Sequence, residues 1–209
     1  MRRLLTLTTL LAGLPLVDPV CAEQVFSFQR AAGQLPKTVV PVSYGINIST
    51  DIDNLKLTGQ ETIQVDVRTS TTDVTLNQAG LHLAEAVLDN GVKAGITQDD
   101  AAETATLHFP AKVSKGAHTL VITYSGPILK TPNGIYVDDY TAPTGETKRM
   151  LVTQFEVADA RRMFPGWDEP AFKATFQLNV TLPTACRQLS RMMIEANCTA
   201  ARKVDFSLS

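Results

Sequence analysis

The densest run of chemically capable residues lies between Thr153 and Pro170. Gln154, Glu156, Asp159, Arg161, Arg162, Asp168 and Glu169 stand there among Phe155, Phe164, Trp167 and two prolines. If Leu151 to Phe155 is a strand, Thr153 and Phe155 share one face and Gln154 and Glu156 the other. An amide and a carboxylate projecting together suit a ligand with a cationic amine. The carboxylate supplies charge and the amide a directional hydrogen bond. A solvated strand face carries the same pair, and the pattern by itself favours that plainer reading. Asp159, Arg161 and Arg162 invite local ion pairs, which are weak when exposed. Phe164-Pro165 and Glu169-Pro170 each impose extended or turn backbone before the proline, and Trp167 packs between them as an anchor. The segment reads as an ordered loop of the kind that supports a site at the adjoining surface.

Other self-sufficient chemistry is missing from the sequence. The histidines are His82, His108 and His118. No two have metal-ligand spacing, and no His-Glu-x-x-His helix occurs. His108 and His118 read as exposed strand residues opposite the apolar set. There is no Gly-x-Ser-x-Gly elbow and no phosphate loop, and Cys186 has no context that would make it a nucleophile. No catalytic residue and no metal ligand is assigned in this chain. The net charge of -2 and the lack of any Lys/Arg-rich run exclude a nucleic-acid function.

The elements that position these residues read as β. The 209 residues, 44% hydrophobic and 19% charged, suffice for one domain with a real core. Period-two alternation marks Val42, Tyr44, Ile46 and Ile48, then Ile63, Val65 and Val67. It recurs at Ala105, Leu107 and Phe109 and at Leu120, Ile122 and Tyr124. The cleanest strand puts Phe172, Ala174, Phe176, Leu178, Val180 and Leu182 on one face. Asp89-Asn90-Gly91 and Thr131-Pro132-Asn133-Gly134 are turn signals. Short strands punctuated in this way predict an all-β, antiparallel domain of one or two packed sheets, a β-sandwich. Lys203 to Phe206 could begin another strand, and the chain stops so soon after it that a closing strand is expected to be missing.

Residues 1–22 read as a secretory signal peptide. Arg2 and Arg3 precede the apolar stretch Leu4 to Val17, and Val20-Cys21-Ala22 offers small residues for cleavage. The apolar stretch is short for a membrane span. Residues 23–34 read as an exposed leader and 35–209 as the β-domain. A secreted or periplasmic location follows. Cys186 and Cys198 remain after cleavage, and their spacing permits a disulfide without demanding it. Asn47-Ile48-Ser49, Asn179-Val180-Thr181 and Asn197-Cys198-Thr199 match glycan acceptors, a pattern common by chance.

The Thr153–Phe176 segment closely resembles the family of aminopeptidase N and puromycin-sensitive aminopeptidase. The shared features are Thr153-Gln154-Phe155-Glu156, Asp159-Ala160-Arg161, Phe164-Pro165-Gly166-Trp167-Asp168-Glu169-Pro170 and Lys173-Ala174-Thr175-Phe176. Weaker similarity extends over most of residues 35–209. Gly166 stands where that family has a cysteine. The resemblance implies the saddle-shaped N-terminal β-domain of a zinc aminopeptidase. It implies that Glu156 pairs with the substrate's α-ammonium and that Gln154 lines the same subsite. Asp168 and Glu169 read as loop structure. The family's zinc helix and Gly-x-Met-Glu-Asn loop are absent from the sequence. Zinc therefore belongs to the full-length enzyme, and the expected partners are a peptide N-terminus and the catalytic domain or a partner chain. The alternative is a free-standing secreted binding or structural module.

Overall fold

The computed structural model describes residues 26–89, 91–183, 187–190, 193–196 and 201–208. The expected signal peptide at 1–22, Cys186, Cys198 and the expected glycan acceptor Asn197 lie outside the described residues. The chain forms two compact units, Met1–Ala31 and Ala32–Ser209. In the first, the described part is a 3-10 turn at Phe28–Arg30, closed by the Ala31 N–H donating to the Ser27 carbonyl at 2.9 Å.

The second unit is an all-β sandwich. Its strands are β1 (Val39–Asp51), β2 (Lys56–Val67), β3 (Thr71–Asn77), β4 (His82–Leu88), β5 (Val92–Lys93), β6 (Gly95–Asp99) and β7 (Thr104–Val113). There follow β8 (Gly116–Pro127), β9 (Gly134–Thr141), β10 (Thr147–Gln154), β11 (Thr175–Pro183), β12 (Arg187–Ser190), β13 (Met193–Ala196) and β14 (Ala201–Leu208). They build a seven-stranded sheet in the order β14-β11-β1-β2-β8-β4-β5, a four-stranded sheet β12-β13-β10-β9 and a three-stranded sheet β3-β7-β6. Among the described residues no helix is long and apolar enough to cross a membrane.

The predicted alternation places the core. Ile63, Val65 and Val67 of β2 and Leu120, Ile122 and Tyr124 of β8 are all buried on one face. Side chains two apart on a strand point the same way, so apolar residues at that spacing bury together. Ala105, Leu107 and Phe109 do the same in the three-stranded sheet. The Asp89–Gly91 turn joins β4 to β5 as expected, with positive φ at Asp89 (48°) and Gly91 (123°).

Three local expectations are corrected. Val42 is 53% exposed and does not share the buried face of Tyr44, Ile46 and Ile48. A β-bulge between Pro41 and Ser43 inserts it as an unpaired residue and shifts the parity. The predicted strand from Phe172 begins only at Thr175, because the Phe172 N–H closes a turn on the Glu169 carbonyl at 3.0 Å. The sheet is not wholly antiparallel: β11 runs parallel to β1, Ser43 opposite Thr175 through Ser49 opposite Thr181. Parallel neighbours need a long crossover, and here everything between the two strands supplies it. The last turn of that crossover is the Phe155–Ala174 segment.

Candidate functional site

The candidate site is built where β10 ends. Leu151 is buried against the sheet, and Gln154, the last residue of β10, pairs with Gly134 of β9. The chain then leaves the sheet. The Phe155 carbonyl accepts the N–H groups of Ala158 at 3.0 Å and Asp159 at 2.9 Å, which makes a tight turn. A 3-10 turn at Ala160–Arg162 follows. Glu156 therefore sits on this turn and not on the strand, a correction to the shared strand face expected for Gln154 and Glu156. Both are exposed. Phe155 does not go fully inward; its ring meets Phe164 edge-on at 6.3 Å.

The turn forms the lip of a cleft of about 840 Å³. Phe155, Trp167, Phe172 and Phe176 contribute apolar walls, and the charged groups of the lining are the carboxylates of Glu156, Asp168 and Glu169 and one guanidinium, Arg161. Gln154 is outside the lining. Among the described residues the Glu156 carboxylate has no ion pair and no side-chain hydrogen bond. A cleft with an excess of carboxylates and one unengaged acid at its lip favours a cation.

An ionic network holds the turn. The Asp159 carboxylate accepts from Asn133 Nδ2 and from Arg162 Nε, both at 2.7 Å. Burial opposes ionisation of Asp159, but these two hydrogen bonds and the charges of Arg162 and Arg161 together hold its carboxyl below the usual range. Glu103, in the turn between β6 and β7, accepts from Arg162 Nη2 at 2.9 Å and Arg161 Nη1 at 3.3 Å. Arg161 also donates from Nε and its backbone N–H to Asp168. The Arg161 side chain is 12% exposed. The weak local pairing expected of Asp159, Arg161 and Arg162 is thus a part-buried network tied to a distant turn. Glu103 gives no sign of this in the sequence, since its partners are more than fifty positions away.

The prolyl loop is pinned from behind. Asn77 and Gly166 exchange backbone hydrogen bonds at 2.7 and 2.9 Å, and Asn77 Oδ1 accepts the Asp168 N–H at 3.1 Å. The Trp167 N–H donates to the Tyr44 hydroxyl at 3.2 Å. A Cβ at Gly166 would lie 3.1 Å from that hydroxyl, so glycine allows Tyr44 its close approach. Glu169 Oε1 accepts the N–H groups of Gln34 and Leu35 at 2.8 and 2.9 Å. Asp168 and Glu169 therefore organise the loop, as their sequence context suggested.

His108 and His118 are engaged elsewhere. His108 Nδ1 lies 2.6 Å from Asp73, and His118 Nδ1 lies 2.7 Å from Asp89. His118 is more enclosed than expected, with its side chain 13% exposed. Among the described residues no three of His, Cys, Asp and Glu gather as a metal-holding cluster, so these residues do not fit a zinc site.

Fold and site together define an all-β domain that presents one acidic turn over an aromatic cleft and holds that turn by part-buried ion pairs. Residues 40–207 match the Peptidase M1 N-terminal domain, and the chain belongs to that family. It is 86% identical over 210 residues to an aminopeptidase N of Acetobacter pasteurianus, which covers 99% of this chain and 59% of that protein. It is 35% identical over 175 residues to aminopeptidase M1-C of Oryza sativa subsp. japonica, covering 82% of this chain and 20% of the relative. Human endoplasmic reticulum aminopeptidase 1 is 28% identical over 212 residues, 93% of this chain and 22% of the relative. The chain spans only part of the length of each relative.

Proposed function

We propose that this chain is the amine-binding N-terminal domain of a secreted or periplasmic zinc aminopeptidase, an enzyme that removes N-terminal residues from peptides. Glu156 pairs with the α-ammonium of the peptide, and Gln154 flanks the same subsite. The observation that carries this reading is the unengaged Glu156 carboxylate at the lip of an acidic, aromatic-walled cleft. An ammonium held there would form a charge-assisted hydrogen bond, and the apolar walls would receive the first side chain. In this reading zinc and bond cleavage belong to the length of the relatives that this chain does not match. Peptide and catalytic domain are then its two partners, and the chain alone is inactive.

The test uses Trp167, the single tryptophan, which lines the cleft. Titrating the chain with leucinamide should change its fluorescence saturably. The Nα-acetylated amide, which lacks the charge, should leave it unchanged. An equal response to both compounds, or none to either, would refute amine recognition.

A further inference from the structure

Glu61 of β2 is an acid where the fold wants a hydrophobe. It is 0% exposed, and it lies on the inward face between Gly59 and Ile63. Its strand neighbours are Ile46 of β1 and Ile122 of β8, both buried. Neither carboxyl oxygen has a hydrogen-bond partner among the described residues, and no lysine, arginine or histidine pairs with it there. The titratable groups that face it are two phenols, Tyr44 of β1 and Tyr124 of β8. The Tyr124 hydroxyl is also buried without a partner, its ring laid across Gly59, where any Cβ would collide with it.

An unpaired carboxylate in such surroundings carries a heavy desolvation cost, so the folded domain holds Glu61 as the neutral acid. Burial likewise keeps both phenols un-ionised, and a charge on Glu61 would raise them further. Tyr44 connects this acid to the cleft. Its hydroxyl accepts the Trp167 N–H, and its ring stacks on Phe176 at 4.7 Å. Trp167 and Phe176 are cleft walls.

We propose that Glu61 is a proton-controlled switch in the core beneath the cleft: the neutral acid permits the closed Tyr44–Trp167 wall, and loss of its proton as pH rises loosens that wall. The switch operates whether or not Glu156 binds an amine.

The sign is fixed by linkage. A carboxyl with a raised folded-state pKa stabilises fully below the ordinary glutamate value and loses that contribution as pH rises through the folded one. Between the two values the folding constant should fall about tenfold per pH unit, relative to a variant that cannot ionise. Urea unfolding of the whole chain, wild type and Glu61→Gln, from acid to mildly alkaline pH should show this divergence. The Trp167 emission of the wild type should shift reversibly over the same range, and that of the variant should not. Parallel stability curves, or a wild-type emission that ignores the loss of stability, overturn the switch. If Glu61→Gln does not fold, infrared spectroscopy of the wild type decides. An un-ionised carboxylic acid carbonyl band that persists above the ordinary glutamate range and vanishes along with the emission shift supports the proposal, and a missing or unlinked band overturns it.

Discussion

Replacing Glu103 with alanine should destabilise the domain although Glu103 is not itself one of the residues that line the cleft. Its carboxylate accepts one hydrogen bond from each of Arg161 and Arg162, at 3.3 and 2.9 Å. Hydrogen bonds to charged groups contribute about 1.5–3 kcal/mol each when desolvated. The Glu103 side chain is 35% exposed, and Asp168 and Asp159 remain to hold the two arginines. Solvent screening and these surviving partners reduce the expected loss to about 2 kcal/mol. Alanine meets the same left-handed backbone that Glu103 occupies, φ 51°, so backbone strain cancels in the comparison. For a domain of this size that loss lowers Tm by about 4–8 °C. Thermal unfolding followed by circular dichroism measures it. A shift below about 1 °C would falsify the view that this network holds the Glu156 turn, because the arginines would then be indifferent to their long-range partner.

Three further outcomes are expected. Glu156→Ala should leave Tm nearly unchanged, since the side chain is exposed. It should weaken leucinamide binding at least about tenfold, the loss of one charge-assisted contact; equal affinity would exclude Glu156 as the amine partner. Gly134→Ala should lower Tm, because Gly134 has φ 64° and a Cβ there would lie 2.6 Å from Arg162 Cβ; an unchanged Tm would show that the turn adapts freely. His118→Gln should flatten the pH dependence of stability above about 6.5, the ordinary histidine value. The hydrogen bond that His118 Nδ1 donates to the Asp89 carboxylate raises the His118 pKa, so the clasp stabilises fully below that ordinary value and is lost as pH rises through the raised one. Identical pH profiles for wild type and variant would remove His118 from the account.

Much of the β architecture was legible because alternation is a direct consequence of strand geometry. Ile63, Val65 and Val67 announced β2, and Asp89-Asn90-Gly91 announced the β4–β5 hairpin. The same parity puts Glu61 on the buried face, yet residue type argues for the surface, so alternation was the only signal for the core acid. Val42 was misplaced because a bulge costs one residue of parity and leaves no mark in composition. The parallel β1–β11 pairing and the division into three sheets depend on contacts between distant segments, which local periodicity does not carry. At the site, Glu156 was singled out by residue type and resemblance, while its backbone was misread. The strand ends where the Phe155 carbonyl turns to accept the Ala158 and Asp159 N–H groups, a choice made by the loop that follows and not by the alternating residues before it.

In the proposed function this domain supplies the amine-recognising turn of an aminopeptidase. The most direct test is hydrolysis of an aminoacyl chromogenic substrate with added zinc. The chain is assayed alone, and then mixed with the separately produced remainder of the Acetobacter pasteurianus aminopeptidase N, the part beyond the 59% that this chain covers. The expected result is no hydrolysis by the chain alone, hydrolysis on mixing above that of the remainder by itself, and loss of that gain with Glu156→Ala. Hydrolysis by the chain alone, or a remainder whose activity is indifferent to the chain, would contradict it.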